Sequence, residues 1–332
     1  MKSFGLAVAA IGLILLPACQ ERHISSSPVA YVPPKAEPLD SQLNSEARNE
    51  LSTDLQLQDP EIRSHAIEAV SIAGGANHDA QIIEALKDRA PMVRYTAALA
   101  VGNLRLSAAH EALLAIAEDP DERVRVAVRY ALHRIGDTHL SHQLEKMSQD
   151  TDPAVRGTTA MVLGLLDEPS ALKILHPMRY DHNEAVRQQA AEAMWRLHDE
   201  EGLTDLVALS MSKRSDDEMM GLLGLAAPRD TRVRQHVRVG LHADWLEVSL
   251  VAARAMGMLG SDEGFGIALQ GAQDADYRKR FLAAWAFGDI GRLDGQDSLR
   301  KLLHDTEPNV RIAAAAAILE LKSQGFASRA GG

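Results

Sequence analysis

A period of 31 residues, kept without insertion or deletion through nine copies, constrains this chain more than any other feature. Stepping by 31 from Arg63 gives Arg94, Arg125, Arg156, Arg187, Glu218, Ser249, Arg280 and Arg311. Stepping from Leu51 gives Ile82, Leu113, Leu144, Leu175, Leu206, Val237, Ala268 and Leu299, apolar throughout. A fixed period of this length means that each unit buries its apolar face against its neighbours rather than in one central core.

Within a period the pattern is that of two short helices. Ile82, Ile83, Ala85 and Leu86 fall at helical spacing, and Pro91 opens a second helix with Met92, Val93, Ala97, Ala98, Val101 and Leu104 on one side. Proline suits a first helical position because its missing N–H has no intrahelical partner there. Asp59-Pro60 and Asp152-Pro153 add an aspartate N-cap, and Glu307-Pro308 is a weaker version. Three residues after the arginine comes a small-residue series, Ala66, Ala97, Val128, Thr159, Ala190, Gly221, Ala252, Ala283 and Ala314, which lets helix backbones approach closely. The aromatic share of 4% fits thin layers. These patterns predict an all-α solenoid of about nine two-helix repeats over residues 46–322, with a flexible tail at 323–332.

Six residues before the arginines runs a second polar series, with Asp88, Asp119, Asp150, Asp181, Asp274 and Asp305. Repeats six and seven lose both members together, Ser212 with Glu218 and Ala243 with Ser249. That joint loss predicts a structural ladder in which Asp88, Asp119, Asp150 and Asp181 pair with Arg94, Arg125, Arg156 and Arg187, since the guanidinium fork matches a carboxylate. Six copies of one charge pair do not describe an active site.

The segments Pro153-Ala154-Val155-Arg156, Pro308-Asn309-Val310-Arg311 and Glu122-Arg123-Val124-Arg125-Val126-Ala127 resemble the second helix of HEAT repeats, in particular the short type named after the phycobilisome lyases. The resemblance covers about residues 48–322. It implies a right-handed α-α superhelix of the HEAT/armadillo kind with the arginine-bearing helices on its concave side. Two activities are associated with such relatives. An iron-dependent hydroxylase uses several His-Glu dipeptides, whereas this chain has one, His110-Glu111. A bilin lyase needs a pigment-protein substrate that an exported protein does not meet.

Lys2, the apolar run Phe4 to Leu16 and Leu16-Pro17-Ala18-Cys19 resemble a bacterial lipoprotein signal, with 1–18 removed and Cys19, the single cysteine, lipidated. Gln20 in place of aspartate then implies the outer membrane, facing the periplasm. Residues 19–45, with Ser25, Ser26, Ser27, Pro28, Pro33, Pro34 and Pro38, read as a tether. At ~3.1 Å per residue, residues 20 to about 44 reach roughly 75 Å. The formal net charge of −11 argues against a nucleic-acid partner, which needs clustered cations.

Arg229, Arg232, Arg234, His236, Arg238 and His242 cluster on the first helix of repeat seven, where the ladder is broken. Tyr95, Tyr130, Phe281 and Trp285 lie one or five positions after the repeated arginine and share a helix face. Those four aromatics, with Arg234 and Arg238, are the expected contacts for a protein partner in a groove. His139 and His142 are three apart, but histidines are scattered through the chain, so no metal or cofactor is expected. The expected role is a non-catalytic protein-protein interaction scaffold: a monomeric adaptor of the bacterial cell envelope, anchored by lipid. An enzyme subunit or a small-ligand capture protein are the competing classes.

Overall fold

The computed structural model describes residues 40–75 and 77–327, with side chains to residue 321. The expected signal segment, Cys19 and most of the tether lie outside the described residues. Among those residues every regular element is helical. The first helix, α1 (Ser41–Asp54), starts inside the stretch read as tether, with Asp40 as its N-cap. There follow α2 (Pro60–Ile72), α3 (Asp79–Ala85), α4 (Pro91–Leu104), α5 (His110–Ala115), α6 (Glu122–Arg134), α7 (Gln143–Met147), α8 (Pro153–Leu165), α9 (Leu172–Met178), α10 (Glu184–Arg196) and α11 (Glu200–Leu209). The remainder comprises α12 (Ser215–Ala226), α13 (Arg234–Val239), α14 (Leu246–Met258), α15 (Phe265–Gly271), α16 (Tyr277–Ile290), α17 (Gln296–Leu303) and α18 (Pro308–Ala327). The Ala-rich run carries α18 five residues past the expected boundary at 322, because alanine and the Leu, Lys and Gln that follow are strong helix formers.

The second helices begin as their sequences dictate. Asp59, Asp121, Asp152 and Asp276 each accept a hydrogen bond from the amide two residues on, and Asn183 does so from two amides. They end at a shared register that the sequence does not announce. Gly74, Arg105, Gly136, Asp167, His198, Arg229, Gly260 and Gly291 all have φ between 53° and 102°, at steps of 31. A left-handed residue reverses the chain after each second helix, and four repeats place a side chain where glycine is favoured.

Two compact units divide the chain, one spanning Leu57–Leu206 and the other joining residues 40–56 to Val207 and beyond. In the first, α2, α4, α6, α8 and α10 stack in order, with α3, α5, α7 and α9 against them. In the second, α12, α14, α16 and α18 stack likewise, and α1 packs on α18. The two periodic series form the core. Leu51, Ile82, Leu113, Leu144, Leu175, Leu206, Val237, Ala268 and Leu299 are at most 2% exposed. Each small residue of the second helices is buried too, and Thr159 satisfies its hydroxyl on the Val155 carbonyl at 2.8 Å. Helices α1 and α18, the first and last among the described residues, both belong to the second unit, where α1 covers α18.

The arginines join consecutive repeats. Arg63, Arg94, Arg156 and Arg280 each send Nε and Nη2 to both oxygens of the aspartate 25 residues later, Asp88, Asp119, Asp181 and Asp305, at 2.6–2.8 Å. Each also donates from Nη1 to the carbonyl six residues before it, at 2.7–3.0 Å. Pairing is therefore with the aspartate of the following repeat, and the residue six positions earlier contributes only its backbone. One rung does not form. Arg125 turns to Glu122 on its own helix, and Asp150 accepts the amide of Asp152. Intact rungs carry Pro60, Pro91, Pro153 or Tyr277 three residues before the arginine, so no carboxylate competes there. Arg187 donates to the carbonyls of Asp181 and His182, with Ser212 in the place of the next carboxylate.

Arg156→Ala should lower the stability of the first unit by about 2 kcal/mol, because Asp181 is left part-buried without its fork. The exposed Arg89→Ala should change it by less than about 0.5 kcal/mol, both read by urea unfolding. Arg105→Gly should stabilise by about 1 kcal/mol by relieving the left-handed backbone, and an unchanged midpoint would show that no strain resides there.

Candidate interaction surface

Surface available to a partner is what the packing of the helices leaves exposed. Tyr95, Tyr130, Phe281 and Trp285 are 9%, 1%, 5% and 3% exposed, so the expectation that they form an open contact stripe is corrected. The physical reason is the approach of neighbouring second helices. Tyr130 lies against Gly102 so closely that a Cβ there would stand 2.5 Å from the ring, and its hydroxyl donates to Asn103 at 2.6 Å. Burial pushes the Tyr95 hydroxyl up to about 12. Phe281 and Trp285 meet edge to face at 6.3 Å, and the guanidinium of Arg254 lies 4.9 Å from the Trp285 ring centre. These aromatics seal one repeat to the next.

Around Trp285 the second unit holds a charge network that sequence reading missed. Arg254, 1% exposed, donates from Nε to Asp289 at 2.9 Å. Burial drives the carboxyl of Glu320 upward, Asp289 adds to the rise, and Arg254 and Arg229 oppose it. The helical spacing of Arg254, Trp285 and Asp289 to the repeated series was available as a signal, but spacing does not say which face turns inward.

The basic cluster of repeat seven is tied down internally. Arg234 donates to the Leu259 carbonyl at 2.6 Å, Arg238 to Glu263 at 2.6 Å and Arg232 to Asp230 at 2.9 Å. The Arg238 bond holds Glu263 below the usual carboxylate range. Arg238 and Arg232 still show 39% and 58% of their side chains to solvent. In the same two repeats, six and seven, stand Met211 at 77% and Val239 at 73% exposure. Met211 follows α11 and Val239 ends α13. A large apolar side chain held in water at the repeats that lack the arginine rung is the surface in this unit best suited to a partner. The signal was in the sequence. The register of Met211 holds Gln56, Lys87, Glu118, Gln149, His242, Gln273 and His304 in other copies. Its remaining copy, Tyr180 of the first unit, is likewise 73% exposed and has Arg179 5.2 Å from its ring centre.

His110, His133, His176 and His304 each stand against a carboxylate. His110 meets Asp137 at 2.9 Å, which raises its affinity for a proton, and His133 meets Glu168 at 2.8 Å. His142 contacts the carbonyl of His139 rather than its ring. Among the described residues no three His, Cys, Asp or Glu side chains are gathered as a metal would need.

The family model for HEAT repeats matches residues 79–147, 140–220 and 267–328. None of the curated proteins matches the chain. Among solved structures it is similar to the complex of CpcE and CpcF of phycocyanin lyase from Nostoc sp. PCC7120, at 20% identity and a TM-score of 0.46, over 72% of this chain and 96% of that one. It is also similar to human deoxyhypusine hydroxylase in complex with glycerol, at 17% identity and a TM-score of 0.37, over 85% and 98%. A third similarity is to Kap121p bound to Nup53p, at 12% identity and a TM-score of 0.36, over 81% and 37%.

If the aromatics are packing residues, Trp285→Ala should destabilise the second unit by about 3–5 kcal/mol through the cavity it leaves. A stability within error of the parent, by thermal or urea unfolding, would return Trp285 to the list of surface contacts.

Proposed function

The chain belongs to the HEAT-repeat family, and on that premise we propose that it is a scaffold or adaptor for protein partners, held at a bacterial membrane by a lipid on Cys19. The carrying observation is the exposure of Met211 and Val239 in the two repeats whose ladder residues are replaced. Arg63, Arg94, Arg156 and Arg280 are occupied in joining layers, which argues against a part for them in chemistry. What varies between layers is the surface, and variation on a rigid repeat is how such stacks acquire a partner. Arg238 and Arg232, half-exposed in the same repeat as Val239, favour a partner segment that carries both apolar and acidic side chains.

No helix among the described residues is long and apolar enough to cross a membrane. Membrane attachment in this reading therefore falls to the lipid, with the outer membrane as the destination and the repeats facing the periplasm. One acyl-bearing cysteine with its diacylglycerol supplies enough buried methylene groups for stable anchoring.

Affinity purification of the tagged full-length protein from solubilised envelopes should recover a defined partner. Met211→Glu combined with Val239→Glu should lower that recovery roughly tenfold, the loss expected for about 1.4 kcal/mol of apolar contact. Undiminished recovery would remove this surface from the proposal, and a stoichiometric metal or small molecule without a protein partner would favour an enzyme or a ligand-capture role. Cys19→Ala should move the protein from the membrane to the soluble fraction, and continued membrane association would refute the lipid anchor.

A further inference from the structure

Helix α1 is joined to the second unit by contacts between residues more than 250 positions apart. Asp40 accepts from Arg300 at 2.9 Å and its amide donates to Gln296 at 3.3 Å. Glu50 accepts from Nε of Arg311, and Glu46 stands 3.8 Å from Nε2 of His304. Leu43, Ala47 and Leu51 form the apolar seam, all fully buried. At the end of that seam sits a carboxyl group. Asp54 is 1% exposed, and its buried Oδ2 has no hydrogen-bond partner. Glu50, one turn earlier, carries the same charge. Arg311 is committed to Glu50 and to the carbonyls of Asp305 and Thr306.

We propose that α1 is a proton-controlled latch, closed over α18 while Asp54 is protonated and released when Asp54 ionises. An ionised carboxylate at this place has neither water nor a donor on Oδ2, whereas the detached helix would hydrate it. Burial pushes the Asp54 carboxyl up to about 7, Glu50 adds to the rise and Arg311 opposes it. Closed α1 thus binds a proton that open α1 releases between the ordinary value of 3.8 and about 7. Within that window each unit rise in pH weakens closure by up to about tenfold, and above it the loss is complete and the dependence flat. The other charged or titratable groups facing α1 are Arg300 at Asp40, His304 opposite Glu46 and Arg311 at Glu50.

The test is hydrogen exchange of the full-length chain followed by mass spectrometry from pH 5 to 8, with rates corrected for intrinsic exchange. Protection of α1 should fall by about tenfold per pH unit between pH 5 and 6.5 and level off above pH 7, while protection of α4 and α8 stays constant. Asp54→Asn, which keeps the shape without the charge, should flatten the α1 profile even with His304 in place. A flat α1 profile in the parent protein overturns the proposal whether or not the variant folds. So does a parallel loss in α4 and α8, or an Asp54→Asn profile as steep as the parent's.

Discussion

The structure depends on one aspartate doing two things. Asp88, Asp119, Asp181 and Asp305 each hold the guanidinium of the preceding repeat, and one oxygen of each also accepts the amide two residues on, at 2.8–3.0 Å. That second bond shapes the turn from which the repeat's own second helix starts. Helix initiation in one layer is thereby coupled to attachment of the layer before it. Glutamate, one methylene longer, would not close the same local turn, which accounts for aspartate at this register. The arginine is equally constrained, since Nη1 must reach a carbonyl six residues back while Nε and Nη2 present the fork forward. Lysine has no such geometry.

Where this coupling lapses, the chain changes character. Glu122 diverts Arg125, and the Asp150 rung is lost although both members are present. Ser212 with Glu218, and Ala243 with Ser249, remove the pair altogether. The division between Leu206 and Val207 falls in the first of these altered repeats. Ser249 retains only a hydroxyl bond to the Ala243 carbonyl at 3.4 Å, a remnant of the arginine's backward contact. The same repeats carry Met211 and Val239 in solvent. Relaxed layer pairing and a surface unlike that of the other repeats occur together.

Most of this fold was legible in the sequence because each layer repeats the same physical problem. Proline and aspartate mark helix starts, and the Leu51 and Ala66 series mark buried faces. The left-handed helix ends were legible only at Gly74, Gly136, Gly260 and Gly291. Arg105, Asp167, His198 and Arg229 adopt the same backbone because the turn demands it, against their own preference. The aromatic residues illustrate a different limit. Spacing puts Phe281 and Trp285 on one helix face, but the contact of Tyr130 with Gly102 joins unequal registers of two layers, and no single-helix pattern contains that offset. Met211 was legible in the opposite way, as an apolar residue at a register that is polar in seven copies.

Helix α1 shows why period alone assigns elements but not their neighbours. Leu51 stands in register with the first helices, so the sequence places α1 in repeat one. Its packing partner is instead α18, and the carboxylate that receives Arg311 is Glu50, where intact rungs use an aspartate 25 residues later. A glutamate on a helix reaches the guanidinium without making the aspartate turn, so α1 joins the ladder electrostatically but is not built into the next layer's helix start. Its other attachments are the Asp40 contacts with Arg300 and Gln296, the approach of Glu46 to His304, and the short apolar seam of Leu43, Ala47 and Leu51, which ends at Asp54. One of the buried groups of this element favours a proton. The attachment of α1 is therefore bound to the protonation of a group at the end of its own seam.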